Sequence, residues 1–152
     1  MKKFLIAAVF TLVSVGGFAF APAGIDDSVI ASFKTHFPNA QQIVWHEFTD
    51  SYEVFFVDDN VQQRITYQKD QSLIRMIRYF DEKNLPFDIA FILSKEMPGK
   101  KIYGVREIST ISEPNSQLLR EYDLTLYDND KWYIVKMDSE GNYHVEKKFK
   151  RA

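Results

Sequence analysis

The pattern of apolar and polar positions along the chain predicts two helices, each followed by four strands. In two segments the apolar residues recur three or four positions apart, which is typical of a helix with one buried face. A proline closes each segment, Pro38 in the first and Pro98 in the second. The apolar positions with helical spacing are Val29, Ile30, Phe33 and Phe37, then Ile89, Ile92, Leu93 and Met97.

After each predicted helix the apolar residues alternate with polar ones, which is typical of half-buried strands. Short turns rich in Asp, Asn and Ser separate these segments. Strands connected by such turns form an antiparallel meander. The predicted strands are 43–48, 52–57, 63–67 and 73–80 after the first helix, and 102–111, 118–127, 132–137 and 143–149 after the second.

The order of helix, proline and four strands occurs twice, and short matches accompany it. Tyr52-Glu53-Val54 is echoed by Tyr122-Asp123-Leu124 at corresponding positions. We therefore predict an α+β fold of two tandem helix-plus-four-stranded antiparallel meander units, with the helices on one sheet face. The predicted units are 24–81 and 82–152, and the hairpin near 106–120 is expected to be longer than its counterpart in the first unit.

A helix covers only one face of its sheet, so the alternation also predicts a second, uncovered face. Trp45, Val54 and Ile65 are expected to point to the helix. Two units side by side would make a longer sheet with one exposed, aromatic-rich face. The alternative is that the other unit, the C-terminal tail or a dimer mate covers this face. Its expected residues are Val44, His46, Phe48, Glu53, Phe55, Val57, Arg64 and Thr66.

The first 23 residues have the pattern of a secretory signal peptide. Two lysines precede an apolar run over residues 4–15, and small residues follow it. Cleavage after Ala19, Ala21 or Ala23 fits the pattern, and we favour Ala23 because Pro22 would hinder cleavage after Ala21. The protein is therefore expected to be periplasmic or secreted, with no integral membrane anchor after signal cleavage.

Composition and motifs favour a protein without catalytic chemistry. The chain has 19 Lys and Arg against 21 Asp and Glu and no cysteine, so we expect neither nucleic acid binding nor thiolate chemistry. No nucleophile motif or zinc-binding histidine pair occurs. The acidic turns lack the spacing of a calcium loop. We expect no enzymatic activity, no cofactor and no metal.

Several short motifs resemble the beta-lactamase-inhibitor-like, PepSY-like family of exported bacterial tandem-repeat proteins. The resemblance extends over about residues 27–150, although the second half has Gly99-Lys100 and Val105 where the family pattern has Asn-Ala and Trp. It implies the fold and an exported location. The inhibitor that gives the family its name binds an enzyme across a concave sheet. The motifs are Val29 to Lys34, Phe37-Pro38-Asn39-Ala40, Ile43-x-Trp45 and Tyr52-Glu53-Val54-x-Phe56.

These observations lead to three functional hypotheses. The first is a non-enzymatic binding module that docks a protein or peptide of the cell envelope on the open sheet face, for example as an inhibitor of an envelope enzyme. The second is a periplasmic protein that holds a small ligand or lipid between helix and sheet. The third is a hydrolase with two close carboxylates. The candidate partner-binding residues are His46, Phe48, Phe55, Arg64, Pro114, Asn115, Tyr127 and Tyr133.

Overall fold

Eight antiparallel strands form one sheet in which each strand pairs with its neighbour in the sequence. The structure is a computed structural model that describes residues 24–112 and 117–151. Its elements, in order, are α1 (Asp27–His36), β1 (Gln41–Glu47), β2 (Ser51–Asp58), β3 (Val61–Gln68), β4 (Leu73–Phe80), α2 (Phe87–Glu96), β5 (Lys101–Ser112), β6 (Gln117–Tyr127), β7 (Lys131–Asp138) and β8 (Tyr143–Lys150).

The prediction of an α+β fold made of two tandem helix-plus-four-strand units is wrong. β4 and β5 pair from Arg75–Phe80 to Val105–Thr110, so hydrogen bonding continues from β1 to β8 without a break. With two helices of ten residues each, the fold is mostly β. The physical reason is that β4 and β5 would otherwise each leave a row of backbone N–H and C=O groups unpaired. The expected boundary at 81/82 lies in the connection between β4 and α2.

Local sequence explains where the helices begin and end. The Asp26 carboxylate caps α1 by accepting a hydrogen bond from the Ser28 backbone N–H at 2.8 Å. At the other end the Phe37 N–H donates to the Phe33 carbonyl, and Pro38 follows. α2 starts after Pro86, which has no side-chain cap. Within the described residues, no helix is long and apolar enough to cross a membrane.

Both helices pack on the same face of the sheet, and each has its own apolar core. Val29 and Phe33 of α1 are 1% exposed and pack against the first three strands, where Val54 is fully buried. Ile89 and Leu93 of α2 pack against the C-terminal strands, where Leu124 and Val135 are fully buried. The opposite face, which we call the open face, carries no helix in the described part of the chain.

β5 and β6 are the longest strands, with 12 and 11 residues. The hairpin that they form is therefore longer than the β1–β2 hairpin, whose strands have seven and eight residues. Two of the candidate partner-binding residues, Pro114 and Asn115, fall between β5 and β6 in the sequence. Both lie outside the described residues.

Candidate functional site

The open face is large enough for a protein partner. Eight strands spaced about 4.8 Å apart span about 34 Å, and a strand of eight residues is about 27 Å long, so the face covers roughly 900 Å². In a typical specific interface each partner buries about 800 Å².

Three of the predicted residues meet in a patch on β1–β3. The His46 and Phe55 rings are edge to face with centroids 5.6 Å apart, and the Arg64 guanidinium carbon lies 5.5 Å from the centre of the Phe55 ring. Arg64 is directly opposite Phe55 in the register, and its Nε is 3.7 Å from Glu53 Oε2. We call this group, His46, Glu53, Phe55 and Arg64, the first patch. Phe48, just after β1, is 52% exposed.

Ile77 shows that the open face is not a flat layer of exposed side chains. It lies on this face, between Arg64 of β3 and Ile108 of β5, yet it is only 3% exposed. Longer neighbouring side chains therefore cover it. Arg75 is on the same face of β4, and no carboxylate of the described residues lies within ion-pair distance of it.

An ion-pair cluster occupies the centre of the open face on β5–β7. Asp123 is only 8% exposed and sits between Arg106 and Lys136, its direct partners on the two adjacent strands. Arg106 Nη2 contacts one carboxylate oxygen, and Lys136 Nζ lies 2.8 Å from the other. The contact with Asp123 raises the pKa of Lys136. Arg106 and Lys136 therefore share the Asp123 carboxylate, and the Glu146 carboxylate also acts on Lys136.

A second aromatic patch lies at the C-terminal end of the open face. Trp132 is at its centre, with ring-centroid distances of 5.2 Å to both Tyr103 and Tyr127. The Arg151 guanidinium stacks on Tyr127 at 4.5 Å, and Phe149 pairs with Trp132 across the β7–β8 ladder. Tyr103 is 69% exposed and Phe149 50%. We call these five residues the second patch.

The candidate Tyr133 lies on the other side of the sheet. It faces the helices, is 9% exposed, and its hydroxyl donates a hydrogen bond of 2.7 Å to Asp128 Oδ2. In the hairpin register Tyr127 pairs with Trp132, so Trp132 and not Tyr133 shares its face. The sequence signal for Trp132 is the four-residue turn 128–131: the residues that flank this turn, Tyr127 and Trp132, pair directly and so share a face. Tyr103 lies beside an irregularity in the β5–β6 register, which the alternation alone does not reveal.

The buried carboxylates do not form an acid pair of the kind a hydrolase would use. The buried acids of the described residues are Glu107 and Asp123. They lie on opposite faces of the sheet, and each is within ion-pair distance of two cations. Within the described residues, no group of three or more metal-ligating side chains comes together.

The fold is BLIP-like, as the comparison with solved structures shows. A BLIP-like protein from Bacteroides fragilis NCTC 9343 superposes with a TM-score of 0.61 at 16% identity, over 84% of this chain and 88% of the other. A protein from Bacteroides eggerthii DSM 20697, provisionally described as periplasmic, superposes with a TM-score of 0.55 at 16% identity, over 82% of this chain and 88% of the other. A DUF2874 family protein from Bacteroides ovatus ATCC 8483 superposes with a TM-score of 0.56 at 14% identity, over 87% of this chain and 89% of the other.

The sequence itself matches no protein-family description and no curated protein. At these identities the structural matches define the fold alone. They support the beta-lactamase-inhibitor-like part of the resemblance at the level of fold, while the PepSY part stays a prediction.

Proposed function

We propose that this protein is an exported, non-enzymatic binding module that docks a protein of the cell envelope on its open face. The observation that carries the proposal is the arrangement of this face, where two aromatic patches flank a centre of ion-paired side chains. The signal-peptide pattern of the first 23 residues supports export. The similar fold of a protein described as periplasmic supports it too.

The side chains of the open face are of the types that dominate binding energy in protein interfaces. Aromatic residues and arginine are enriched among binding hot spots. The first patch contributes Phe55 and Arg64, and the second patch contributes Trp132 and Arg151, with both arginines stacked on rings. The ion pairs around Asp123 hold Arg106 and Lys136 in place between the patches.

Arg75 on β4 favours a partner that brings a carboxylate to this part of the open face. Arg75 has no carboxylate partner among the described residues, and Arg106 and Lys136 share Asp123. A partner segment with a carboxylate between two apolar contacts would complement this face, because charge complementarity determines register and speeds association. Inhibition of an envelope enzyme is one form that such docking takes, and the likeness to a BLIP-like protein supports this form.

The packing between α1 and the sheet does not favour the alternative of a ligand held there. The Phe33 ring lies 4.9 Å from Phe56 and 5.4 Å from Trp45, and Phe37 lies 4.8 Å from Phe56. These rings fill the space between α1 and the sheet that an apolar ligand or lipid would need there.

Capture from an envelope extract, compared across matched variants, tests the proposal. Phe55→Asp and Trp132→Asp each place a carboxylate in one aromatic patch. Phe91→Asp is the matched control: it makes the same change on the solvent-facing side of α2, where Phe91 is 59% exposed. We expect one protein to be retained by the wild type and by Phe91→Asp and to be lost with both open-face variants. If Phe55→Asp and Trp132→Asp both retain this protein as well as the wild type does, docking at the open face is refuted.

A further inference from the structure

A trough with a volume of about 410 Å³ lies on the helix-bearing face, beside the C-terminal end of α1. α1 packs over the N-terminal strands and α2 over the C-terminal ones, so a strip of β3–β6 between them lies under neither helix. The volume falls within the range of about 300–1,000 Å³ that is usual for small-ligand sites. This trough is on the opposite face from the proposed docking surface and is independent of it.

The floor of the trough contains more cations than anions. Glu107 is 3% exposed, and its Oε1 lies 3.4 Å from Arg78 Nη1 and 3.8 Å from Arg120 Nε. A guanidinium has five N–H donors, and one carboxylate cannot satisfy two of these groups. The Arg78 and Arg120 side chains remain 36% and 46% exposed, so a second anion has access to their spare donors.

Gln63 adds an unpaired acceptor beside these cations. It pairs with Arg78 in the β3–β4 register and is 6% exposed. Its Oε1 has no hydrogen-bond partner within the described residues. A buried acceptor without a donor costs free energy, so a ligand N–H at this position would be favourable.

The walls of the trough supply apolar contacts, and the two ends of the trough differ in charge. Phe37 and Met76 line it, and Asp58 and Asp59 lie at the β2–β3 turn on the side away from Arg120. The two acidic side chains repel an anion at that end. A ligand anion is therefore favoured at the Arg78–Arg120 end.

We infer that the trough binds a short peptide by its free C-terminal carboxylate. The carboxylate pairs with Arg78 and Arg120, a peptide N–H donates to Gln63 Oε1, and an apolar last side chain packs against Phe37 and Met76. A peptide C-terminus presents these three groups next to one another, which matches the donors, the acceptor and the apolar wall of the trough.

Isothermal titration calorimetry with the full chain tests this inference. The probe is the tetrapeptide Ala-Ala-Ala-Leu with a free carboxylate, compared with the same peptide ending in a carboxamide and with free leucine. We expect the acid to bind at least about tenfold more tightly than the amide, because a charge-assisted hydrogen bond is lost. Equal binding of acid and amide, no binding of the acid, or equal binding of free leucine overturns the inference.

Three variants locate the binding and control for folding. Arg120→Gln and Gln63→Leu are each expected to weaken binding of the free acid at least about tenfold. Arg75→Gln removes one arginine from the open face and is expected to leave the affinity unchanged. Gln63→Leu also removes the unpaired acceptor, so its melting temperature should be at least that of the wild type. Unchanged affinity in both trough variants would contradict the assignment.

Discussion

Phe33→Ala and Phe55→Ala remove the same ring from opposite faces of the sheet, and we expect very different costs. Phe33 is 1% exposed and packs against Phe37, Trp45 and Phe56, with ring-centroid distances from 4.9 to 5.4 Å. Removing a fully buried Phe costs about 3–5 kcal/mol. Phe55 is half-buried and contacts His46 and Arg64. Its partial burial and two ring contacts, each worth about 0.5–1 kcal/mol, give a cost of about 1–2 kcal/mol.

Urea unfolding monitored by tryptophan fluorescence measures both costs. Trp45 lies against Phe33 and reports on the α1 core, whereas Trp132 is in the second patch. Equal m-values for the variants and the wild type would support a two-state comparison. We expect Phe33→Ala to lose about 1–4 kcal/mol more than Phe55→Ala, against a typical stability of about 5–15 kcal/mol. Equal losses would mean that the open face is a second core, and the docking proposal would fail.

Two further predictions concern buried or hydrogen-bonded acids. Hydrogen bonds from Tyr133 and Lys100 hold the pKa of Asp128 well below its ordinary 3.8, so its stabilisation is present above that pH and is lost as the pH falls towards the folded-state value. Asp128→Asn should therefore lower the melting temperature at pH 7 and flatten its decline between pH 4 and 2; an unchanged decline in a melting series would contradict this. Asp123→Asn should cost about 1–3 kcal/mol in urea unfolding and lower the pKa of Lys136, because two cations lose their shared carboxylate. A cost within about 0.5 kcal/mol, the range of ordinary surface changes, would contradict this.

Local pattern was enough to predict most of the secondary structure. The helical stripes of Val29–Phe33 and Ile89–Leu93 are the buried positions of α1 and α2. In β2, β3 and β7 buried and less buried positions alternate as predicted, because successive side chains of a strand point to opposite faces; in β2 the buried residues are Tyr52, Val54 and Phe56. These features depend on neighbours a few residues apart.

The joining of all strands into one sheet could not be predicted in this way. The pairing of β4 with β5 spans the whole of α2, and no local motif in Arg75–Phe80 marks it. β4 and β5 pair because each would otherwise leave backbone N–H and C=O groups without hydrogen bonds, and local sequence does not show which strand will supply the partners. The repeated order of elements therefore suggested two units where the backbone forms one sheet.

The candidate site was predictable where it lies on strands that are consecutive in the sequence and joined by tight turns. His46, Phe55 and Arg64 come together because tight turns connect β1, β2 and β3, so parity and order place them side by side. The central charges depend on longer-range pairing. Arg106 meets Asp123 through the long β5–β6 hairpin, and its register includes an irregularity between Ile102 and Gly104. The ion pair between Glu107 and Arg78 in the floor of the trough could likewise not be predicted, because it depends on the pairing of β4 with β5.

Site-specific photo-crosslinking in cells tests the central claim, docking on the open face, most directly. A photoreactive phenylalanine analogue replaces Phe55, Trp132 or Phe91 in the full-length chain, and crosslinked products are identified by mass spectrometry. The account predicts that positions 55 and 132 crosslink to the same envelope protein and that position 91 does not. Crosslinks to that protein from position 91 alone would contradict it.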